Sequence, residues 1–280
     1  MLFTPILTKL KSISLLLAFL PSLALAMVAV DNTPVPGGVA LVEFQTNHAN
    51  PKVTYGQLPV YVQKRQGDRH QALVGIPLMA KPGKKYINVQ DFSERKVYFE
   101  VMPKQYEEQR ITLKGSKKKY VEPDPEHVKR IVRERETLNK ARTTYSNQAL
   151  SSGRFKRPVE GVTTGSFGLK RFYNDQPRRA HTGVDYAAKL GTPVHAPTSG
   201  QVILTGEFFF NGKTIFIDHG MGLISAYIHL DKILVEHGQM LKPGDIIGHI
   251  GQTGRATGPH LHWGVYLNQT AVNPNLFLGE

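Results

Sequence analysis

From residue 39 to about residue 113, short apolar or alternating runs recur at 39–44, 60–62, 72–76, 86–89, 97–101 and 111–113, with Gly56, Gly67-Asp68, Pro82-Gly83 and Pro103 punctuating them. Strands this short, at this spacing, predict a small β-sandwich of immunoglobulin-like architecture. After the basic break Gly115-Ser116-Lys117-Lys118-Lys119 the period changes. Asp124 is a good N-cap and Pro125 suits the first helical position. Val128, Ile131, Val132, Leu138 and Ala141 then follow a 3.6-residue repeat to about Asn147, with Glu136 and Lys140 paired at i,i+4. The pattern predicts a helix joining two domains. Beyond Ser151-Ser152-Gly153 the texture is glycine-rich turns and β-branched runs at 191–194, 200–204, 214–217 and 223–228, without an amphipathic helix. That is a second, nearly all-β domain, and the fold class is mainly β.

One alternating run carries chemistry. The turn Gly254-Arg255-Ala256-Thr257-Gly258-Pro259 leads into His260-Leu261-His262-Trp263-Gly264-Val265-Tyr266-Leu267. With a period of two, His260 and His262 project from one face, and Leu261, Trp263 and Val265 from the other. The two imidazoles could share one metal ion, or serve as one ligand and one base.

The first 26 residues stand apart from the fold. Lys9 and Lys11 form a basic lead, 13–25 is apolar, and Ala24-Leu25-Ala26 matches a small-x-small cleavage site, which together predict an export signal. Pro21 and the shortness of the run argue against an uncleaved anchor, since a spanning helix needs about 20 apolar residues. The expected organisation is a signal at 1–26, a β-sandwich-like domain at 27–114, a basic loop and linker helix at 115–152, and a catalytic domain at 153–280. The protein is expected to be exported to the periplasm or secreted, with no membrane anchor after cleavage.

Losing Lys9 and Lys11 lowers the formal charge from +13 to +11. A basic exported protein suits an anionic partner. Nucleic acid is not expected, because no base-stacking or groove-reading motif is present; a bacterial wall with free carboxylates fits better. The absence of cysteine excludes disulfides, thiolate metal sites and cysteine nucleophiles, so a zinc site here must use His and carboxylate ligands.

Three clusters in the second domain carry such residues: His181-Thr182-Gly183-Val184-Asp185, Tyr227-Ile228-His229-Leu230, and His260 with His262. A catalytic zinc needs three protein ligands and an open position for water. Together with Gly251-x-x-Gly254 and Thr257-Gly258-Pro259, these clusters closely resemble the lysostaphin-type (LytM-like) zinc endopeptidases in order and spacing. Ser166-Phe167-Gly168, Gly191-Thr192-Pro193-Val194, Gly200-Gln201-Val202 and Ile217-Asp218-His219-Gly220 add to the likeness, which covers about residues 161–273. The region upstream is similar, more weakly, to β domains of exported Gram-negative members.

The resemblance implies one Zn2+ held by His181, Asp185 and His262, with His260 as general base and His229 as second catalytic histidine, able to steady an oxyanion by donating to it. Tyr227, on the same strand as His229, is a candidate for substrate contact, with packing as the competing role. The implied fold is an antiparallel-β LytM-type peptidase domain. The implied substrate is the stem peptide of bacterial peptidoglycan, cut at the D-Ala to diaminopimelate cross-link. A glycine-bridge or elastin-type specificity is the alternative within the same chemistry, and a non-catalytic wall-binding activator of other hydrolases is the alternative outside it. The amino-terminal domain would dock on the wall, position the peptidase, or inhibit it, and a regulatory partner is compatible with each.

Overall fold

The computed structural model describes residues 27–279; the expected signal at 1–26 lies outside them. Among the described residues no helix is long and apolar enough to cross a membrane.

The chain is mainly β. In the amino-terminal part, Val39–Gln45, Arg69–Gly75 and Tyr61–Lys64 form a three-stranded antiparallel sheet. A four-stranded sheet is ordered Leu58–Pro59, Lys52–Tyr55, Gly83–Gln90, Glu94–Val101. Ala40, Val42, Phe44, Ala72 and Val74 of the first pack on Val53, Ile87 and Val89 of the second, so the expected sandwich is present. The last run assigned to this region behaves differently. Glu108–Ile111 joins neither sheet but pairs in parallel with Lys170–Tyr173, far along the chain.

The carboxy-terminal part is built on a ten-stranded sheet. Its central path runs Gly200–Phe208, Gly212–Asp218, Ile224–Ile233, His260–Leu267, Val184–Ala187, Val162–Gly165, with antiparallel neighbours throughout. Leu261, Trp263 and Val265 are completely buried on one face and join a cluster that also contains Val39, Tyr61 and Leu73 of the sandwich. The two β regions therefore share a core. They also meet at Gly75, where an added Cβ would lie 2.9 Å from that of Leu267. Asn268 closes this contact, accepting from the Gly75 N–H at 2.7 Å and donating to its carbonyl at 3.0 Å.

The helix Pro125–Arg142 starts as read, with Asp124 accepting from the backbone N–H of His127. It stops five residues short of Asn147. The Thr143 backbone N–H and hydroxyl both bond back to the last carbonyls, and the chain then turns. Leu138 and Ala141 pack on Phe216, Ile224, Ala226, Ile228 and Tyr266. The helix thus covers the sheet face opposite the shared core, the same face that carries His262.

Candidate metal centre

Register puts the site together. His262 lies opposite Asp185 in the pairing of His260–Leu267 with Val184–Ala187, and opposite Ile228 in the pairing with Ile224–Ile233. A slip of one residue would exchange Leu261, Trp263 and Val265 for the histidines in the core; each such side chain is worth about 1.5–3 kcal/mol buried. The same burial that stabilises the strand therefore fixes which way the imidazoles face.

Three ligand-type atoms converge. His181 Nε2 is 3.0 Å from Asp185 Oδ1 and 2.9 Å from His262 Nδ1, and His262 Nδ1 is 2.8 Å from the same carboxylate oxygen. His181 Nδ1 faces the Ser166 carbonyl at 2.8 Å. A carbonyl only accepts, so the proton of the neutral ring sits on Nδ1 and Nε2 offers a lone pair. Asp185 Oδ1 offers another, and His262 Nδ1 completes the group. Burial pushes His262 down to about 4, which favours the neutral, ligating ring. Burial alone would raise the Asp185 carboxyl, but its contacts with His181 and His262 prevail and hold it well below the usual carboxylate range. Three buried electron-pair donors thus point at one another with no hydrogen to share, a group able to hold a metal ion. Two imidazoles and one carboxylate suit zinc and leave a position open.

Two further histidines flank this group. His260 Nδ1 donates to the Gly258 carbonyl at 2.9 Å and His229 Nδ1 to the Thr253 carbonyl at 2.8 Å, with ring centroids 4.8 Å apart. Each neutral ring therefore turns an unprotonated Nε2 away from its carbonyl; that of His260 is 4.0 Å from Asp185 Oδ1. Burial pushes His229 well below its ordinary value, and the neighbouring His260 and His262 push the same way. Donation from His229 to an oxyanion requires a proton on Nε2 that this surrounding opposes. The neutral ring is an acceptor.

His229 has φ 69, in the left-handed region. A non-glycine residue held there costs on the order of 1–3 kcal/mol and needs support. Its N–H bonds to the Asn211 carbonyl at 2.9 Å, and the Thr253 carbonyl anchors the ring. The kink shifts the strand's phase: Tyr227 and Leu230 both enter the shared core, although a regular strand would put them on opposite faces. This separates Tyr227 from His229. Tyr227 is completely buried, and its hydroxyl is hydrogen-bonded to that of Ser225 at 2.9 Å, which in turn meets His219. It lies in the core away from the cleft, a packing position and not a substrate contact. His219 is also fully buried between the Ser199 carbonyl and Ser225.

Glycines make room for the cluster. A Cβ on Gly183 would sit 2.6 Å from His262 Nε2, and one on Gly165 2.5 Å from Asp185 Oδ2.

The structure also adds residues that sequence reasoning missed. Arg171 donates to Asp185 Oδ2 at 2.6 Å and, through Nε, to Gln109 Oε1 at 3.0 Å. A cleft of about 320 Å³ opens beside Asp185, His229 and His260, walled by Gln109, Arg171, Tyr173 and Arg255. The alternation of Lys170-Arg171-Phe172-Tyr173 would have put Arg171 and Tyr173 on one face, but nothing local links that strand to Asp185.

Fold and donor set define a β-sheet metal-binding protein with two base-type histidines beside the metal position. Comparison with known proteins agrees. The model of peptidase family M23 matches residues 179–274, and that of the M23 N-terminal domain matches residues 32–104. A crystal structure of a provisionally assigned M23 peptidase from Pseudomonas aeruginosa is 39% identical, with a TM-score of 0.75, over 89% of this chain and 96% of that one. This chain belongs to peptidase family M23. Peptidoglycan DD-endopeptidase ShyC of Vibrio cholerae is 43% identical over 96 residues, 34% of this chain and 22% of that protein. DD-carboxypeptidase/endopeptidase Mpg of Neisseria meningitidis serogroup B is 42% identical over 96 residues, again 34% and 22%. The matched segment is thus about a fifth of the length of these curated relatives.

Proposed function

We propose that this protein is a zinc endopeptidase that hydrolyses peptide cross-links of bacterial peptidoglycan outside the cytoplasm. The observation that carries the reading is the convergence of His181 Nε2, Asp185 Oδ1 and His262 Nδ1, flanked in an open cleft by His229 and His260, each ring anchored through Nδ1 to a backbone carbonyl. Family membership and the DD-endopeptidase relatives support the substrate class. The leader read at 1–26 supports export to the periplasm, and the basic charge suits an anionic wall.

His181, Asp185 and His262 would hold the ion, with Arg171 and Gln109 orienting the carboxylate through its second oxygen. A zinc ion bound there supplies Lewis acidity to a water and to the scissile carbonyl. His260 Nε2 then takes the proton of the attacking water and returns it to the leaving amine, a transfer its Gly258 contact favours by keeping the other ring proton in place. His229, neutral in its buried setting, accepts the water's second hydrogen and so aims its lone pair at the carbonyl. The intact residue set favours catalysis over the activator reading. The segmentation at 27–114, 115–152 and 153–280 remains part of this proposal, with the amino-terminal region positioning the peptidase on the wall.

Purified sacculi incubated with the mature protein test the reading. Cross-linked muropeptide dimers should convert to monomers with zinc-loaded wild type, and neither with chelator nor with His260→Ala. Unchanged sacculi from the zinc-loaded wild type would overturn it in favour of a non-catalytic wall protein.

A further inference from the structure

The cleft holds more positive charge than the protein neutralises. Two guanidinium groups, those of Arg171 and Arg255, line it, and a third, that of Arg178, lies in the adjoining groove that Arg255 also lines. Arg171 is paired with Asp185. Arg178 is held by neutral oxygens only, the carbonyls of Pro177 and Val121 at 3.0 Å each and the Gln176 side chain. Arg255 lies between two rings, its guanidinium carbon 4.7 Å from the centroids of both Tyr173 and Phe210. Among the described residues no carboxylate lies within ion-pair distance of Arg255, and its side chain donates to no protein acceptor. Burial pulls Arg255 below its ordinary value, and the like charges of Arg171 and Arg178 add to that.

Stacking accounts for the two faces of this guanidinium but not for its edge. The five N–H groups lie in the ring plane, where a planar, bidentate acceptor fits. A purely structural arginine would be expected to spend those donors on carbonyls, as Arg178 does. Arg255 instead lines the same cleft as Asp185, His229 and His260, and also the adjoining groove under the helix Pro125–Arg142. The edge left open by the stacking is placed to meet an anion that arrives from outside, beside the reacting groups.

We propose that Arg255 is the carboxylate-recognising residue of the cleft, clamped by Tyr173 and Phe210 and backed by Arg178, and that it selects substrates bearing a free carboxylate next to the scissile bond. The inference rests on the endopeptidase reading above. It divides the substrate classes that reading leaves open. In a D-Ala to diaminopimelate cross-link, the carbon bearing the leaving amine also bears a carboxylate. Within a glycine bridge the leaving residue is an ordinary amide-linked glycine with no free carboxylate. A positive, acceptor-less fork beside the metal position suits the first and gains nothing from the second.

The test uses two synthetic cross-linked peptides, identical except that the leaving-side carboxylate is free in one and a carboxamide in the other. With the zinc-loaded full chain, kcat/KM should favour the carboxylate peptide by about 10- to 100-fold, the range of one charged hydrogen-bonding contact. Arg255→Met should lose that preference by slowing the carboxylate peptide alone, and Arg255→Lys should recover part of it. Cleavage of both peptides at equal rates by wild type would overturn the proposal, and that comparison needs no variant. Equal slowing on both peptides by Arg255→Met would overturn it too, in favour of a packing role. Binding of both peptides to His260→Ala, measured calorimetrically, separates this inference from the reading beneath it. A carboxylate preference in binding that Arg255→Met removes would uphold the anion site even where wild type cleaves neither peptide. No preference in binding would overturn the anion site even where both are cleaved.

Discussion

His219 lies on the turn that leads into the strand carrying His229, and its burial makes the fold acid-sensitive in a calculable way. The ring is completely enclosed and donates from Nδ1 to the Ser199 carbonyl. Its Nε2 then accepts from the Ser225 hydroxyl at 2.7 Å. Burial pushes its pKa from the ordinary 6.5 down to about 4. Between those values the unfolded chain binds a proton that the folded chain refuses. Stability is therefore unaffected by this group above about pH 6.5 and is lost as pH falls through that window towards 4. At about 1.4 kcal/mol per pKa unit the full loss is roughly 3 kcal/mol, of which about 2 kcal/mol is reached by pH 5.

The measurement is urea unfolding of wild type and His219→Asn at pH 7, 6, 5 and 4.5, because acid acts on other groups of the fold that cancel only in the difference. Asparagine leaves part of the polar network unfilled, so the variant should be less stable at pH 7. The gap should narrow by about 2 kcal/mol at pH 5, since the variant has no imidazole to protonate. A constant gap from pH 7 to 4.5 would refute the reasoning and mean that His219 accepts its proton without penalty in the folded state.

Other consequences of the geometry are direct. Dialysed Asp185→Asn should retain little zinc by elemental analysis, whereas His229→Ala should retain it and lose turnover; equal metal loss in both would place His229 among the ligands. Gly183→Ala drives a methyl against the Trp263 carbonyl and the His262 ring and should weaken zinc about tenfold or more in a chelator competition, together with a loss of stability in urea unfolding. Asn268→Ala strands the Gly75 N–H and carbonyl at the contact between the two β regions. It should cost about 1–3 kcal/mol in urea unfolding, and no change would show that water replaces the side chain there.

Much of this architecture is legible locally. Alternation alone places His260 and His262 on one face and Leu261, Trp263 and Val265 on the other, because only the second face is apolar at every position. The sandwich follows from its turn residues in the same way. What escapes is whatever depends on distant pairing or a broken period. Gln109 and Arg171 meet because Glu108–Ile111 pairs with Lys170–Tyr173, 62 residues away at the Gln109–Arg171 pair, and no periodicity encodes a parallel pairing at that range. His229 leaves the face of Tyr227 because one residue adopts a left-handed backbone, which a period-two reading cannot anticipate in a non-glycine. Arg255 sits in a turn where nothing in its neighbours marks it, and only the placement of Tyr173 and Phe210 gives it meaning.

These same long-range contacts bear on how the amino-terminal region relates to catalysis. Tyr106 donates to the Pro36 carbonyl at 2.7 Å and packs on Phe167, while Gly168 is approached so closely that a Cβ there would lie 2.1 Å from the Tyr106 ring. Two residues beyond Ser166, whose carbonyl fixes the His181 tautomer, the chain is thus pinned by residues that precede the helix. A few residues on, Gln109 holds Arg171, and Arg171 holds the second oxygen of Asp185. The orientation of one ligand and the tautomer of another therefore depend on the segment 106–111 being in place. A truncation that begins after this segment would keep every residue of the histidine cluster and still lose the supports of Asp185 and Ser166, so the metal centre is a property of the whole described chain and not of the ten-stranded sheet alone.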